Sequence, residues 1–173
     1  MSGLAPPIPY QWQVGDTGNA ALLNAQLFNG LTFLLGPPLV SYQQSTAQSL
    51  ASAGFTAVSW PTPVADTYGG YSASTPTRYT PQAPGWYLFI GSIGWAANAT
   101  GGRTAAIYKN GTILSQQTLG NATATFNSVA QVCAFVYCNG TSDYVELYSN
   151  QSSGGALNSV PAFTTLWGVL FHI

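Results

Sequence analysis

Charged residues are scarce in this chain of 173 residues. Three basic and four acidic residues make up 4% of it, whereas about 25% is usual in globular proteins. The three cations, Arg78, Arg103 and Lys109, are too few to attract nucleic acid or an anionic membrane surface, so both partners are excluded. Low charge also favours association, which is harmless where the associated form is the working state.

Residues that carry catalysis or bind metals are also scarce. His172 is the single histidine, no Gly-x-Ser-x-Gly stretch is present, and no glycine-rich phosphate loop precedes a helix. Asp143 and Glu146 are close in sequence but lie on opposite faces of one predicted strand, which excludes the paired carboxylates of a glycosidase. The sequence therefore predicts no enzyme activity, no cofactor and no metal site.

Cysteine is limited to Cys133 and Cys138, which lie in one predicted strand. One position is odd and the other even, so the two side chains point to opposite faces and a disulfide is not expected. We interpret both as small buried hydrophobic residues. The sequence also shows no signal peptide and no apolar run long enough to span a bilayer.

The most informative stretch runs from Gly85 to Ala97, because it is apolar on both faces of a predicted strand. Alternation puts Trp86, Leu88 and Ile90 on one face, opposite Tyr87, Phe89, Ile93 and Trp95. The segment 163–173 repeats the pattern, with Phe163, Trp167, Val169 and Phe171 opposite Leu166 and Leu170. In a sandwich the opposite sheet covers one face, and a second subunit is the simplest cover for the other.

The N-terminal segment has a different pattern. Residues 1–14 are rich in proline and aromatic residues without periodicity, which predicts an extended arm. Residues 18–35 predict a helix with its N-cap at Asp16 or Thr17 and its end at Gly36. Its apolar stripe either packs on the chain's own β-domain or docks on a neighbouring protein, and it consists of Leu23, Leu27, Leu31 and Leu34.

The remainder divides into a linker and a β-domain. Residues 39–54 are rich in Ser, Gln and Ala and predict a linker, which leaves a knob at 55–173 and an attachment segment at 1–38. Asn110-Gly111 predicts a two-residue hairpin turn. Its expected pairs are Lys109 with Thr112, Tyr108 with Ile113, and Ile107 with Leu114.

About eight short apolar segments separated by turns are typical of a sandwich or jelly roll. In residues 143–149, alternation places Val145 and Leu147 inward and Tyr144, Glu146 and Tyr148 outward. The sequence therefore predicts an all-β fold, an antiparallel jelly-roll β-sandwich with a short N-terminal arm and helix.

The β-domain resembles the jelly roll shared by complement globular-head and tumour-necrosis-factor-like domains. The matching residues are Tyr79 and Pro81, Gly85-Trp86-Tyr87-Leu88-Phe89, Asn110-Gly111, Asp143-Tyr144-Val145-Glu146-Leu147 and Trp167-Gly168-Val169-Leu170-Phe171. In that family the strand with the Gly-x-Tyr-x-Phe motif and the terminal strand lie in an inner sheet around a three-fold axis. The resemblance covers about residues 55–173 and implies a homotrimer.

The N-terminal segment resembles the start of small structural proteins from tailed phages of actinobacteria. The matching residues are Pro9-Tyr10-Gln11-Trp12, Val14-Gly15-Asp16-Thr17, Ala21-Leu22-Leu23-Asn24 and Leu34-Leu35-Gly36-Pro37-Pro38. This resemblance implies an arm and helix that attach to the virion and a knob that faces outward.

The two resemblances together imply a homotrimeric decoration protein on the virion surface, bound to the major capsid protein or another virion protein. No long fibrous shaft is present, which favours a compact decoration over a fibre tip. The residues expected to carry core and trimer packing are Trp86, Phe89, Ile93, Trp95, Trp167 and Phe171. Those expected to carry attachment are Tyr10, Trp12, Leu23, Leu27 and Leu31.

The alternative is a tail-associated adhesin or carbohydrate-binding module. Tyr144 and Tyr148 stand among Asn and Ser residues, where flat rings and amides suit a host-surface glycan. Ordinary sheet packing explains the same tyrosines, and both explanations stay open.

Overall fold

Alternating apolar residues fold the chain into two antiparallel sheets around one core, in a computed structural model that describes residues 8, 10–120 and 123–172. The strands are β1 (Leu39–Gln43), β2 (Ser49–Leu50), β3 (Phe55–Ala57), β4 (Ala65–Asp66), β5 (Arg78–Tyr79), β6 (Pro84–Trp95), β7 (Arg103–Lys109), β8 (Thr112–Leu119), β9 (Ser128–Asn139), β10 (Val145–Gln151), β11 (Leu157–Asn158) and β12 (Thr165–His172). The first sheet has the order β4-β1-β12-β6-β9, and the second has the order β3-β10-β7-β8 with β5 also paired to β10. Strands β2 and β11 form a separate ribbon. The chain is an antiparallel jelly roll, as the sequence predicts.

The core lies between the inward faces of the two sheets and is rich in aromatic side chains. Tyr87, Phe89, Ile93 and Trp95 of β6 all point inward and are almost fully buried. The Trp95 indole Nε1 donates a hydrogen bond to Ser149 Oγ of β10 at 2.9 Å. This bond crosses from one sheet to the other, so the polar atom of Trp95 is satisfied within a single chain.

The predicted linker is wrong, because residues 39–54 hold strand β1 of the first sheet and strand β2 of the separate ribbon. β1 pairs with β12 over its whole length, from Leu39 opposite Val169 to Gln43 opposite Thr165. Val40, Tyr42 and Leu50 are buried in the core. The β-domain therefore begins at Leu39, and these three inward side chains anchor a Ser- and Gln-rich stretch that is otherwise mostly exposed.

One continuous helix precedes β1. It runs through an α-helical turn (Ala20–Leu23), a π-helical segment (Asn24–Phe28) and a second α-helical segment (Asn29–Leu35). The N-cap is Asn19, whose side chain accepts a hydrogen bond from Leu22 N at 2.9 Å, so the prediction of Asp16 or Thr17 is wrong. Asp16 instead accepts from Gln13 N at 2.6 Å, which closes a turn in the arm. The helix ends at Gly36, as predicted.

The Asn110-Gly111 turn joins β7 to β8. Both residues have positive φ, at 50° and 78°, as a tight two-residue hairpin requires. Lys109 pairs with Thr112 and Tyr108 with Ile113, as predicted, but Ile107 pairs with Ser115 and not with Leu114. A bulge after the first two pairs causes this shift of one residue.

Three further predictions about single residues are wrong. Glu146 was expected to point to solvent but is buried, because Thr77 and Arg78 next to β10 lie over its carboxylate. Cys133 was expected to be buried but is exposed, and only Cys138 is enclosed. Phe163 lies in a short 3-10 turn, Pro161–Phe163, before the terminal strand begins at Thr165.

Candidate functional site

The outer face of the first sheet is a broad apolar surface. It is formed by alternate residues of β1, β12, β6 and β9, because each of these strands buries its other face in the core. Its large side chains are Leu39, Trp86, Leu88, Ile90, Phe135, Tyr137, Trp167, Val169 and Phe171. In a single subunit Trp167 is 58% exposed and Phe171 is 70% exposed. We call these residues the apolar face.

Strand register makes this face continuous. Trp167 lies opposite Ile90, and Trp86 lies opposite Tyr137. The rings of Trp86 and Tyr137 meet edge to face with centroids 5.8 Å apart, and those of Phe135 and Phe171 at 5.5 Å. A shallow groove of about 280 Å³ runs along β1, β12 and β6. Contiguous apolar patches of this kind are typical of interaction sites.

The apolar face is also uncharged. Among the residues that the structure describes, no outward-pointing side chain of β1, β12, β6 or β9 belongs to Asp, Glu, Lys or Arg. Covering the face therefore requires no desolvation of charge. Each large side chain on it contributes about 1.5–3 kcal/mol when it passes from full exposure to full burial, and proportionally less from the half-exposed state.

The six residues predicted for core and trimer packing divide into two groups. Phe89, Ile93 and Trp95 lie in the core of one chain and cannot touch a second subunit. The other three lie on the exposed apolar face, namely Trp86, Trp167 and Phe171. Sequence reasoning missed Phe135 and Tyr137, although the alternation of β9 around the buried Val132, Val136 and Cys138 was a signal for them.

The helix and arm form a second apolar surface. Phe33 is the only buried residue of the helix, and its ring meets Tyr68 edge to face at 6.2 Å. The arm is tied to the helix, since Tyr10 N donates to Gln26 Oε1 at 3.0 Å. All five residues predicted for attachment are exposed, namely Tyr10, Trp12, Leu23, Leu27 and Leu31. The stripe therefore does not pack on the chain's own β-domain.

An apolar cleft of about 510 Å³ separates this helix from the end of β12. Leu27, Leu31 and Leu34 line it from the helix side, while Leu170 and Phe171 line it from β12. Because Phe171 also belongs to the apolar face, the cleft and the face form one continuous surface.

Comparison with known proteins places this geometry in a known fold. No family model and no curated protein sequence matches the chain. A crystal structure of murine APRIL at pH 5.0 superposes with a TM-score of 0.57 and 14% identity, over 78% of this chain and 98% of that one. A second, at pH 8.0, gives 0.54 and 18% over the same shares.

The chain shares the jelly-roll fold of these two APRIL structures. At these identities the likeness concerns the fold alone. It agrees with the resemblance seen in the sequence of the β-domain.

The two tyrosines predicted for a glycan surface lie on the outer face of the jelly roll's second sheet, where both are partly covered. The Arg78 guanidinium lies over the Tyr144 ring, 3.9 Å from its centroid. Tyr148 packs against Tyr108 at 4.2 Å and donates to Glu146 Oε2 at 3.3 Å. Burial, together with the Glu146 carboxylate, raises the pKa of Tyr148. Phe55, whose ring is 5.6 Å from Tyr108, extends this aromatic row and was missed by sequence reasoning.

The described residues contain no group of three or more His, Cys, Asp or Glu side chains that could hold a metal ion. Within the same residues, none of the helical segments is both long and apolar enough to cross a membrane.

Proposed function

We propose that this chain is a non-catalytic structural protein that assembles as a homotrimer and decorates the capsid of a tailed phage. The apolar face joins the three subunits, and the N-terminal arm and helix attach the trimer to the major capsid protein or another virion protein. The jelly roll is then displayed on the surface of the virion.

The observation that carries this proposal is the apolar face itself. Trp167 and Phe171 cannot turn inward because Leu166 and Leu170 fill the core beneath β12, and Trp86 cannot because Tyr87 and Phe89 fill it beneath β6. A second copy supplies a cover of the same uncharged, aromatic character. The family resemblance of the β-domain favours three copies around an axis, and the resemblance of residues 9–38 favours a virion as the site of attachment.

The assembly is tested by light scattering on the purified full chain. The proposal expects about three times the 18.1 kDa mass of one chain. Trp167→Asp places a carboxylate in the centre of the apolar face, and the proposal expects it to yield single chains or aggregates, because an unpaired charge is costly to bury.

Ile113→Asp is the matched control, since Ile113 is 41% exposed at the hairpin tip of the second sheet. This variant should keep the trimeric mass. Single chains from the unaltered protein at micromolar concentration would contradict the proposal, as would an unchanged mass for Trp167→Asp.

Attachment is tested separately by mixing the purified trimer with phage particles that lack it and measuring sedimentation with the particles. The full chain should sediment with them, whereas a chain without residues 1–36 should remain in the supernatant. Equal sedimentation of the two would show that the arm and helix are not the attachment segment.

A second candidate, a tail-associated adhesin that binds a host-surface glycan, is favoured by the aromatic row on the second sheet. Phe55 is 40% exposed and continues through Tyr108 to Tyr148, and flat exposed rings suit the apolar faces of sugars. Binding on a glycan array that is lost in Phe55→Ala would favour the adhesin. Absence of binding leaves the decoration role as the better account.

A further inference from the structure

The N-terminal helix has too little contact with its own jelly roll to account for its composition. Of its residues 20–35, Phe33 alone is buried, and six large apolar side chains are exposed. Leu34 is 74% exposed and Leu35 is 86% exposed. An isolated helix of this length is marginal in water and takes most of its stability from packing. The helix therefore needs a cover that one subunit does not provide.

The cleft beside the helix also needs a cover that one subunit does not provide. Its volume of about 510 Å³ far exceeds the share of one water molecule, about 30 Å³. Its walls are mostly Leu, Phe and Pro side chains, which give ordered water few hydrogen-bonding partners. A cleft of this size and character suits a peptide segment with large apolar side chains.

The position of the cleft indicates which molecule supplies that segment. Phe171 lines both the cleft and the apolar face. The helix continues through Gly36 into β1, which is hydrogen-bonded to β12. Copies that meet through the apolar face therefore bring the same end of each jelly roll, with its helix, towards one another.

The absence of charged residues also supports a second copy of this chain as the occupant of the cleft. Neither the helix nor the lining of the cleft contains Asp, Glu, Lys or Arg. A partner with charged docking residues would have to bury them unpaired, which is costly. The helix of a second copy carries no charged residue, and its leucines would contact the leucines that line the cleft.

We propose that the helix of a second copy of this chain packs into the cleft, so that the subunits are clamped together by their helices at the end of the jelly roll where β12 terminates. This inference rests on the proposed homotrimer. It assigns Leu27, Leu31 and Leu34 to contacts between copies. The residues left for the larger assembly are Tyr10, Trp12, Phe28 and Leu35.

Disulfide trapping in the full chain tests this contact. The background is Cys133→Ser, because Cys133 is the exposed native thiol, and burial raises the pKa of Cys138 to about 12. Leu27→Cys, Leu31→Cys and Leu34→Cys are then oxidised one at a time at micromolar protein. For at least one of them, most chains should become covalent dimers on a non-reducing gel.

Thr32→Cys is the matched control, because Thr32 is exposed on the same helix but does not line the cleft. Its yield of covalent dimer should be less than about a tenth of the yield from the most reactive cleft cysteine. A second comparison uses Leu31→Asp and Thr32→Asp, and only the first should weaken the trimer by tenfold or more, which corresponds to about 1.4 kcal/mol.

The outcomes separate the two proposals. If light scattering gives the trimeric mass while all three cleft cysteines behave like the Thr32 control, the helix clamp is wrong and the proposed trimer stands. If the Cys133→Ser chain and the unaltered chain both have the mass of one subunit, the proposed trimer and the clamp fail together.

Discussion

Asp143 ties two turns together at one end of the jelly roll. Its carboxylate accepts from Asn110 Nδ2 at 2.7 Å and from Asn139 N at 3.0 Å, and Lys109 Nζ lies 2.9 Å away. The hydrogen bond from Asn110 and then that from Lys109 hold the pKa of Asp143 below its usual range. Two of the chain's seven charged residues, Lys109 and Asp143, thus form one structural contact.

The lowered pKa of Asp143 makes stability depend on pH in a defined direction. The ionised carboxylate stabilises the folded state above the unfolded-state pKa of about 3.9, and this contribution is lost as the pH falls through the lower folded-state pKa. We expect Asp143→Asn to lower the free energy of unfolding more at pH 7 than at pH 2.5, measured by urea denaturation. An equal loss at both pH values would mean that the charge plays no part.

Trp95 and Trp86 lie on the same strand but face different surroundings. We therefore expect truncation of each to alanine to lower the free energy of unfolding by a different amount. Both are compared in the Trp167→Asp background, where the subunits are expected to stay apart. Trp95→Ala should lower the free energy of unfolding by about 3–5 kcal/mol because it leaves a cavity, and it also leaves Ser149 Oγ without its donor. Trp86→Ala should cost about 1 kcal/mol or less, since Trp86 is 48% exposed. Similar losses in urea denaturation would contradict the assignment of Trp86 to the outer face.

At the scale of elements, the N-terminal helix lies outside the two sheets of the jelly roll. Its single buried anchor is Phe33, and the first strand of the sandwich begins after it, at Leu39. The helix contains no charged residue that could pair along its surface. Its order therefore depends on the contact of Phe33 with Tyr68 and on whatever covers the leucine stripe.

We expect Phe33→Ala to release the helix while the sheets stay folded. Hydrogen exchange should show amides 24–35 losing at least tenfold in protection, while amides of β6 and β12 change little, because these strands pair with each other and with β9 and β1. Thr32→Ala, on the exposed side, is the control. Loss of protection throughout the chain would make the helix part of the fold and not an appended element.

The whole molecule combines a conventional sandwich core with a surface of little charge. Of the seven charged residues, Arg103 and Glu146 are buried, which leaves five for an accessible surface of 9188 Å². Polar side chains and the turn residues Asn, Ser, Thr and Gly replace the missing charges. Association of such a molecule is driven by removal of apolar surface from water and not by ion pairs.

Because burial of apolar surface drives the association, its response to salt can be predicted. Interactions between exposed charges weaken over a shorter range as ionic strength rises, but the apolar face holds no charged residue among those described. We expect the proposed trimer to dissociate no more extensively in 1 M NaCl than in 0.05 M NaCl, measured by analytical ultracentrifugation at a series of dilutions. A tenfold or larger weakening by salt would point to an interface elsewhere on the molecule.

Several features of the fold followed from local sequence alone. Alternation in residues 86–95 identified both faces of β6, and Asn110-Gly111 set the first two pairs of its hairpin correctly, because a tight turn with positive φ admits few other registers. Gly36 and the prolines after it ended the helix where predicted. For the candidate site, Trp86, Trp167 and Phe171 were among the six residues predicted for core and trimer packing, but alternation alone did not say which face of each strand points outward.

Tertiary structure decided what depends on neighbours distant in sequence. The stretch 39–54 is rich in Ser, Gln and Ala, yet its first five residues form a strand because they pair with β12 and place Val40 and Tyr42 in the core. Glu146 became buried because Thr77 and Arg78, nearly seventy residues away, cover it. The apolar face gained Phe135 and Tyr137 only when β9 paired with β6. Local sequence specifies which side chains share a face of a strand, while the pairing of strands decides which faces meet water.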